Sequence, residues 1–347
     1  MLVVTATAQN PPFTLNWPDR RPIGFDVLGN RAFANPNNPR GYIQYSKSYI
    51  STSGKAQFRS DLLARAAMDV AVLKSINAQG IIIWDVEGDE PSFVYVGDPR
   101  QLSFLAPEMD AVADEFFNVY TAAGLRVGIM ARRQAFGVGT NLAPNPTVGQ
   151  VFLQPYPSGT FQQNVFVCYT NGTWFQTNTT LQQQTTNFYP DFLAKIEYAK
   201  NRWGATLFYN DSYSSYTAAG LAALSNVMVL HPDILLAPEA GGGISTTNTT
   251  TVLPYFSVCA PFLDPVASGC LVPGSVSSAY HSAFGLVKIT AVTNVASIVN
   301  SMTNGNIMLV NDWSGFSIPP GTLAVSNALK AINSTLGPPT DLRVLNQ

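Results

Sequence analysis

The sequence predicts an α/β fold in which eight parallel strands, most of them followed by a helix, close into a (β/α)8 TIM barrel with a long insertion after strand three. Three observations lead to this prediction. Apolar runs of strand length alternate with amphipathic helical patterns through most of the 347 residues. Eight runs of the strand type occur. The glycine motifs of the rival doubly wound sheet are missing, since no G-x-G-x-x-G follows the first strand and no G-x-x-x-x-G-K-[ST] occurs.

Capping signals and apolar spacing place the elements of the first half of the chain. The run 23–29 is the first strand, and Ser60 and Gly80 mark the two ends of an amphipathic helix over 60–80. "GIIIWDVE" is the second strand. Acidic residues in the first turns and Gly124 at the end place a second helix over 106–124, followed by the third strand at 125–133.

The alternation of strands and helices is interrupted by residues 134–186 and continues after them. Residues 134–186 are rich in Gly, Pro, Asn, Gln and Thr, which indicates an insertion loop rather than a separate helical domain. After it, helices are predicted at 188–204, 215–231, about 291–304 and 321–337, and strands at 205–211, 233–243, 255–262, 282–289 and 306–313. The barrel therefore spans 21–336.

Composition excludes several classes of partner and cofactor. A net charge of −2 provides no basic surface for nucleic acid or for a membrane surface, and no apolar stretch of about 18 residues could cross a bilayer. The two histidines, His231 and His281, have no neighbours at metal-ligand spacing. We therefore expect neither a metal nor another cofactor. Cys259 and Cys270 are close enough in sequence to form a local disulfide in an oxidising compartment.

The two ends of the chain differ from the barrel pattern. Residues 1–20 include an A-x-A pattern that is typical of the end of an export signal, although a plain disordered start is equally compatible. The first reading predicts a secreted, periplasmic or cell-surface protein. Residues 337–347 resemble the start of a fibronectin type III or similar β-sandwich module, so further modules are expected in a longer chain.

Polar residues gather where the predicted strands end. Only 12% of the chain is charged. The residues at strand ends are Asp26, Asp85, Glu87, Arg132, Asn210, Asp211, Glu239 and Asp312. Residues at the carboxyl ends of barrel strands face the active-site mouth, although Asp at a strand-to-helix junction also caps helices. Asp85 and Glu87 alternate along one strand, so we expect only one of them to face the mouth.

Aromatic residues accompany these polar residues. The ones proposed to contact a ligand are Trp84, Tyr209, Tyr213 and Trp313. Their flat faces can stack on the C–H side of a pyranose while their polar edges form hydrogen bonds, and core packing is the alternative. The combination with carboxylates predicts a carbohydrate ligand.

Three strand ends resemble those of a known superfamily. "LFYND" places Asp211 after strand four, "LLAPE" places Glu239 after strand five, and "LVNDW" places Asp312 late in the chain. This pattern resembles the (β/α)8-barrel glycoside hydrolases that carry an Asp nucleophile after strand four and a Glu acid after strand five. The resemblance covers 23–313 and identifies no single family.

The resemblance implies roles for the strand-end carboxylates. Glu239 would be the acid/base and Asp211 the nucleophile or base in cleaving a glycosidic bond of a poly- or oligosaccharide, by retention or by inversion. Asp85 would bind a sugar hydroxyl or act as a backup catalytic group; its alternative is a salt bridge to Arg132 or Arg133.

Two other classes of protein stay open at this stage. A carbohydrate-binding barrel without catalysis would keep the aromatic residues and lose one of the paired carboxylates. An aldolase- or isomerase-type barrel would need a Schiff-base lysine, and Lys288 is the one lysine within the late strands, predicted to lie in the middle of its strand.

Overall fold

The computed structural model describes the parts of the chain that build the sheet and its first helices. The described residues are 17, 19–29, 37–38, 40–43, 47–88, 97–132, 137–138, 151–155, 163–170, 173–176, 189–210, 224, 226–238, 284–288 and 307–311. The predicted strand 255–262, the helices 291–304 and 321–337, the Cys259 and Cys270 pair and both chain ends outside this set stay predictions.

Among the described residues, seven strands form one parallel sheet. They are β1 (Ile23–Val27), β2 (Gly80–Trp84), β3 (Arg126–Ala131), β8 (Leu207–Asn210), β9 (Leu235–Pro238), β10 (Phe284–Lys288) and β11 (Ile307–Asn311). Their order in the sheet is β10-β11-β1-β2-β3-β8-β9. Strands that follow each other in the chain order of this sheet pair with each other, except β9 and β10, which are the two edges of the described sheet. The last strand, β11, pairs in parallel with the first, β1. The prediction of an α/β fold with a parallel, barrel-like sheet is confirmed, and closure by an eighth strand stays a prediction.

The sheet is strongly curled. β1 and β8 are three strands apart, which in a flat sheet is about 14 Å. The rings of Phe25 on β1 and Tyr209 on β8 nevertheless lie with their centroids 4.9 Å apart, and Trp84 on β2 lies 5.3 Å from each of them. Side chains from distant strands can meet in this way only on the concave face of a curled sheet. That face is filled with side chains, as in the interior of a barrel.

Helices cover the convex face of the sheet. α1 (Thr52–Ser75), α4 (Ala113–Ala122) and α5 (Tyr189–Trp203) are the long ones, and α2 (Leu102–Leu105) and α3 (Pro107–Asp110) are short. The central strands are apolar on both faces and fully buried, which is typical of parallel sheets that are covered on both sides. No helix among the described residues is long and apolar enough to cross a membrane.

Helix α1 begins at Thr52, eight residues before its predicted start at residue 60. Its N-cap is Ser51, whose hydroxyl accepts a hydrogen bond from the Gly54 backbone N–H at 3.0 Å, and Ser60 lies exposed within the helix. The predicted stop is also wrong, because the helix ends at Ser75 and Gly80 is the first residue of β2. The first two turns of the helix are mostly polar, so apolar periodicity did not reveal them.

Strands form within the predicted insertion. β4 (Gly137–Val138), β5 (Val151–Pro155), β6 (Gln163–Thr170) and β7 (Thr173–Gln176) make a second sheet of order β4-β7-β6-β5. All three pairings are antiparallel. The sequence interpretation of 134–186 as loop therefore missed these strands, although β6 contains the apolar run "VFVCY", because the Gly, Pro, Asn and Gln of the whole segment outweighed that run.

Gly128 allows β3 and β8 to lie side by side. A Cβ atom added at this glycine would lie 1.6 Å from the Leu207 carbonyl oxygen, which belongs to the backbone and cannot turn away. We expect Gly128→Ala to lower the free energy of unfolding by about 3 kcal/mol, measured by chemical denaturation. Gly124→Ala is the control, because Gly124 has φ +76° but open space, and its loss should be about 1 kcal/mol. Equal losses in the two variants would contradict this account.

Candidate active site

The carboxyl ends of the seven parallel strands meet at one edge of the curled sheet, which we call the mouth. The last paired residues of β3 and β8 are Ala131 and Asn210, and Asn210 in turn pairs with Pro238 at the end of β9. On the other side, Lys288 of β10 pairs with Asn311 of β11. The strand ends that carry the predicted site residues are therefore adjacent in space.

Five predicted site residues lie outside the described residues. They are Asp211, Tyr213, Glu239, Asp312 and Trp313. Asp211 directly follows Asn210 and Glu239 directly follows Pro238, so the two assigned catalytic residues come after a pair of residues that the structure places in register. Their roles stay predictions.

Trp84 and Tyr209 pack inside the sheet and do not offer a free face. Their exposed fractions are 2% and 0%, and both rings contact Phe25 on the concave side. The expectation that these two rings stack on a sugar is therefore corrected in favour of core packing. The physical reason is the curl, which brings side chains from three strands together and excludes a ligand from between them.

Asp26 faces the helices and not the mouth. It lies on β1 between Phe25 and Val27, and alternation along the strand turns it to the side opposite Phe25. There both of its carboxylate oxygens accept hydrogen bonds from Arg65 of α1. The expectation that Asp26 binds substrate at the mouth is corrected, because Asp26 is a buried partner in an ion pair that joins β1 to α1.

The chain turns sharply directly after β2. Strand β2 ends at Trp84, and Asp85 has φ +58°, in the left-handed region that non-glycine residues rarely adopt. The Gly88 backbone N–H donates to the Asp85 carbonyl oxygen at 3.0 Å and closes the turn. The predicted strand alternation of Asp85 and Glu87 is therefore wrong. Both side chains are 3% exposed.

Burial changes the acidity of Glu87. Removal from water, reinforced by the nearby Asp98 carboxylate, raises the pKa of Glu87 from 4.5 to about 7. Hydrogen bonds from the backbone N–H groups of Glu87 and Asp98, and the positive charge of Lys195, act in the opposite direction. A carboxyl group that titrates near neutral pH beside the mouth is typical of functional sites and also of buried ion networks.

The carboxyl end of β3 is bound by groups from two other elements. Asn210 of β8 donates from Nδ2 to the Ala131 carbonyl oxygen at 3.2 Å, and Lys195 of α5 donates from Nζ to the Arg132 carbonyl oxygen at 2.9 Å. Arg132, a predicted substrate ligand, is 2% exposed. Its proposed contact with substrate stays a prediction.

The side-chain amide of Asn210 has one hydrogen-bond acceptor that is not satisfied by the described residues. The side chain is fully buried, and its Oδ1 atom has no hydrogen-bond partner in the part of the chain that the structure describes. An unsatisfied buried acceptor costs about 1–3 kcal/mol, so a position that keeps one needs an explanation. Asn210 alternates with Tyr209 along β8, so its side chain lies on the side of the sheet opposite the Tyr209 ring.

Several buried polar residues near the mouth were missed in the sequence. Tyr42 donates from its hydroxyl to the Val86 carbonyl oxygen at 2.6 Å, and Arg40 forms a buried ion pair with Glu108 through both carboxylate oxygens. The loop that carries Arg40 and Tyr42 has no periodic pattern to reveal them. The burial of Lys195 could have been predicted from the sequence, because Lys195 lies on the apolar face of α5 between Phe192 and Ile196.

The sequence suggested that Lys288 lies in the middle of its strand. In the structure, Lys288 is the last residue of β10. The strand is shorter at its carboxyl end than the predicted 282–289. Among the described residues no group of three or more His, Cys, Asp or Glu side chains could hold a metal ion.

Comparisons with known proteins give structural neighbours only. No protein-family model matches the chain, and no curated protein matches it. The alpha-fucosidase of Thermotoga maritima, solved with fucose, is similar over 91% of this chain and 72% of its own, with 12% identity and a TM-score of 0.43. Alpha-L-fucosidase isoenzyme 1 from Paenibacillus thiaminolyticus is similar over 91% of this chain and 74% of its own, with 11% identity and a TM-score of 0.44.

Proposed function

We propose that this chain is a glycoside hydrolase that cleaves glycosidic bonds of an oligo- or polysaccharide at the mouth of a (β/α)8 barrel. Glu239 acts as the acid/base and Asp211 as the nucleophile or base. The observation that supports this most directly is the register of β8 and β9, in which Asn210 and Pro238 are paired at the carboxyl edge. Each of these residues is followed immediately by one of the two assigned carboxylates.

The pairing of Asn210 with Pro238 limits how far apart the next residues, Asp211 and Glu239, can be. Paired strands lie about 4.8 Å apart, and successive Cα atoms are about 3.8 Å apart. We therefore expect the Cα atoms of Asp211 and Glu239 to lie within about 12 Å of each other. The proposal requires the two carboxyl groups to lie about 5 Å apart for retention or about 6.5–9.5 Å apart for inversion.

The chemistry needs two carboxyl groups in different protonation states. The carboxylic acid of Glu239 protonates the glycosidic oxygen as the bond to the anomeric carbon breaks. The carboxylate of Asp211 attacks that carbon, or removes a proton from the water that attacks it. No group other than carboxyl groups and water is required.

The filled interior directs the substrate to the mouth. Phe25, Trp84 and Tyr209 occupy the concave side, so a sugar would have to bind above them, at the strand ends. Contacts from Asp85, Arg132, Tyr213, Asp312 and Trp313 belong to the same proposal, as does a location outside the cytoplasm, where polysaccharides are met.

A substrate screen tests the proposal. The purified chain is incubated with a panel of polysaccharides and aryl glycosides, and reducing sugar or released phenol is measured. We expect hydrolysis of at least one glycoside class, and the anomer of the first product, observed by NMR, then distinguishes retention from inversion. Saccharide binding without any hydrolysis would favour the non-catalytic carbohydrate-binding barrel and overturn the proposal.

A further inference from the structure

We propose that the loop after β1 clamps the turn that follows β2, and that Tyr42 of this loop is thereby a positioning residue for substrate at the mouth. We call residues 38 and 40–43 the β1 clamp and residues 85–88 the β2 turn. The positioning role rests on the proposed function, in which the β2 turn carries the substrate ligand Asp85. The clamp itself does not rest on that function.

The β2 turn has a backbone conformation that needs support from outside. Asp85 has φ +58° directly after the last strand residue, Trp84, and Gly88 has φ +114°. A non-glycine residue in the left-handed region costs folding free energy, so such a residue persists only where the surrounding structure fixes it. The hydrogen bond from the Gly88 N–H to the Asp85 carbonyl oxygen closes the turn but does not attach the turn to any other element.

Tyr42 provides the most direct attachment. Its hydroxyl group donates to the carbonyl oxygen of Val86, in the middle of the turn, at 2.6 Å. The Tyr42 side chain is fully buried, and its ring lies against Phe58 of α1 with the ring centroids 5.1 Å apart. Because the ring cannot move without losing this packing, the hydrogen bond fixes Val86 relative to α1.

Arg40 supports the other end of the turn. A Cβ atom added at Gly88 would lie 2.7 Å from the Cβ atom of Arg40, so the Arg40 side chain lies directly against the turn backbone. The guanidinium group of Arg40 donates to both carboxylate oxygens of Glu108 on α3, and both side chains are buried. Since a bidentate pair of this kind has one preferred geometry, Arg40 ties the end of the turn to α3.

The β1 clamp is anchored and is itself strained. Ile43, the residue after Tyr42, has φ +54°, a rare conformation for a β-branched side chain. The Asn38 side chain accepts from the Tyr42 N–H at 3.1 Å and donates to the Tyr42 carbonyl oxygen at 2.8 Å. The Ile43 N–H donates to the Leu28 carbonyl oxygen at 3.1 Å. The hydrogen bond between Tyr42 and Val86 therefore joins two segments that each contain a left-handed non-glycine residue.

Both segments follow the carboxyl ends of neighbouring strands. β1 and β2 pair in register up to Val27 and Trp84, and the clamp and the turn come after these residues. Strained backbone conformations cluster at ligand-binding sites, where they hold groups in place before the ligand arrives. In the proposed function the substrate binds at this edge, so the clamp fixes Asp85 for it in advance.

Tyr42→Phe is the variant that tests the clamp, because phenylalanine keeps the ring packed against Phe58 and removes only the hydroxyl group. Hydrogen–deuterium exchange, followed by mass spectrometry, is measured for the peptide that contains Gly88, whose N–H closes the turn. We expect this exchange to become about tenfold faster, while exchange in β3 stays as in the wild type. Unchanged exchange of the Gly88 peptide would overturn the clamp.

Tyr120→Phe is the matched control. Tyr120 is also fully buried and also donates from its hydroxyl group, to Asp69 at 2.7 Å, but it lies on α4. This variant should exchange the Gly88 peptide as the wild type does, even with a lower free energy of unfolding. Equally fast exchange in both variants would show a general loss of stability and would overturn the clamp.

The positioning role has its own readout. With a glycoside from the screen, Tyr42→Phe should raise KM by about tenfold and change kcat by less than about twofold, because a ligand that binds substrate and transition state alike affects KM alone. An unchanged KM would overturn the positioning role, since a mere loss of folded protein lowers only kcat. Tyr120→Phe should keep the wild-type KM.

Failure of the proposed function gives a different result. A chain that hydrolyses no glycoside would contradict the proposed function and the positioning role with it. The exchange comparison of Tyr42→Phe with Tyr120→Phe needs no substrate, so it would still decide the clamp.

Discussion

Replacing Glu239 by glutamine is expected to lower kcat/KM for natural glycosides by about 100-fold to 10,000-fold. The reason is that an alkoxide leaves a sugar with difficulty unless an acid donates a proton to it during bond cleavage. Glutamine has the same shape as the glutamic acid side chain but cannot supply that proton. The measurement is the initial rate of reducing-sugar release at several substrate concentrations.

Substrates whose leaving group needs no proton test whether Glu239 acts specifically as the acid. A dinitrophenolate leaves without protonation, so Glu239→Gln should retain much more of its kcat/KM on dinitrophenyl glycosides than on natural substrates. Asp211→Asn should lower kcat/KM for both substrate types, because bond formation at the anomeric carbon is needed in either case. Equal losses of Glu239→Gln on both substrates would contradict the acid assignment.

A matched surface variant controls for the change from carboxylate to amide. Glu115 is half-exposed on α4 and pairs with Arg59 of α1, away from the strand ends. Glu115→Gln should hydrolyse all substrates as the wild type does. A large loss in this control would show that the assay responds to folding and not to the catalytic groups.

Replacing Arg65 by methionine is expected to lower the free energy of unfolding by about 3–5 kcal/mol. Arg65 is 3% exposed, and its guanidinium group donates to both oxygens of Asp26. Methionine fills part of the space but leaves the Asp26 carboxylate buried without its partner. The buried Asp69, which accepts from the Tyr120 hydroxyl at 2.7 Å, loses the same nearby positive charge. Chemical denaturation at neutral pH measures the loss.

The same helix provides the control for this ion pair. Arg59 also forms a bidentate ion pair, with Glu115, but the Arg59 side chain is 55% exposed. Arg59→Met should cost only a small fraction of the loss in Arg65→Met, because solvent screens exposed pairs. The double variant Asp26→Leu with Arg65→Met should recover most of the loss, since the unpaired charge is then gone. Similar losses from Arg59→Met and Arg65→Met would refute the account.

The strands of the barrel-like sheet could be predicted because each one is a short apolar run that stands out from its neighbours. "GIIIW" is buried on both faces, and such a run has few stable alternatives to a central parallel strand. Helix α1 was predicted but misplaced at both ends. Its polar first turns have no apolar stripe, and its cap, Ser51, is identified only by the hydrogen bond to Gly54.

The candidate site was less predictable than the fold. The sequence correctly placed Asp26, Asp85 and Glu87 near strand ends. It did not correctly predict the directions of their side chains. Asp26 turns toward α1 because of strand alternation and the presence of Arg65. Asp85 takes a left-handed backbone conformation, which moves Glu87 out of the alternation that a continued strand would impose.

By itself, the sequence determined the class of fold, the chain positions of the strands of the barrel-like sheet and the presence of carboxylates directly after several of them, because these depend on local apolar patterns and on chain order. Only the tertiary structure decided which polar groups are paired with helices, which aromatic rings fill the interior, and that Lys195 binds the end of β3. These features depend on the curl of the sheet and on contacts between residues far apart in the chain. No local pattern carries that information, because the pairing energy of a buried charge exists only once its distant partner has been brought beside it.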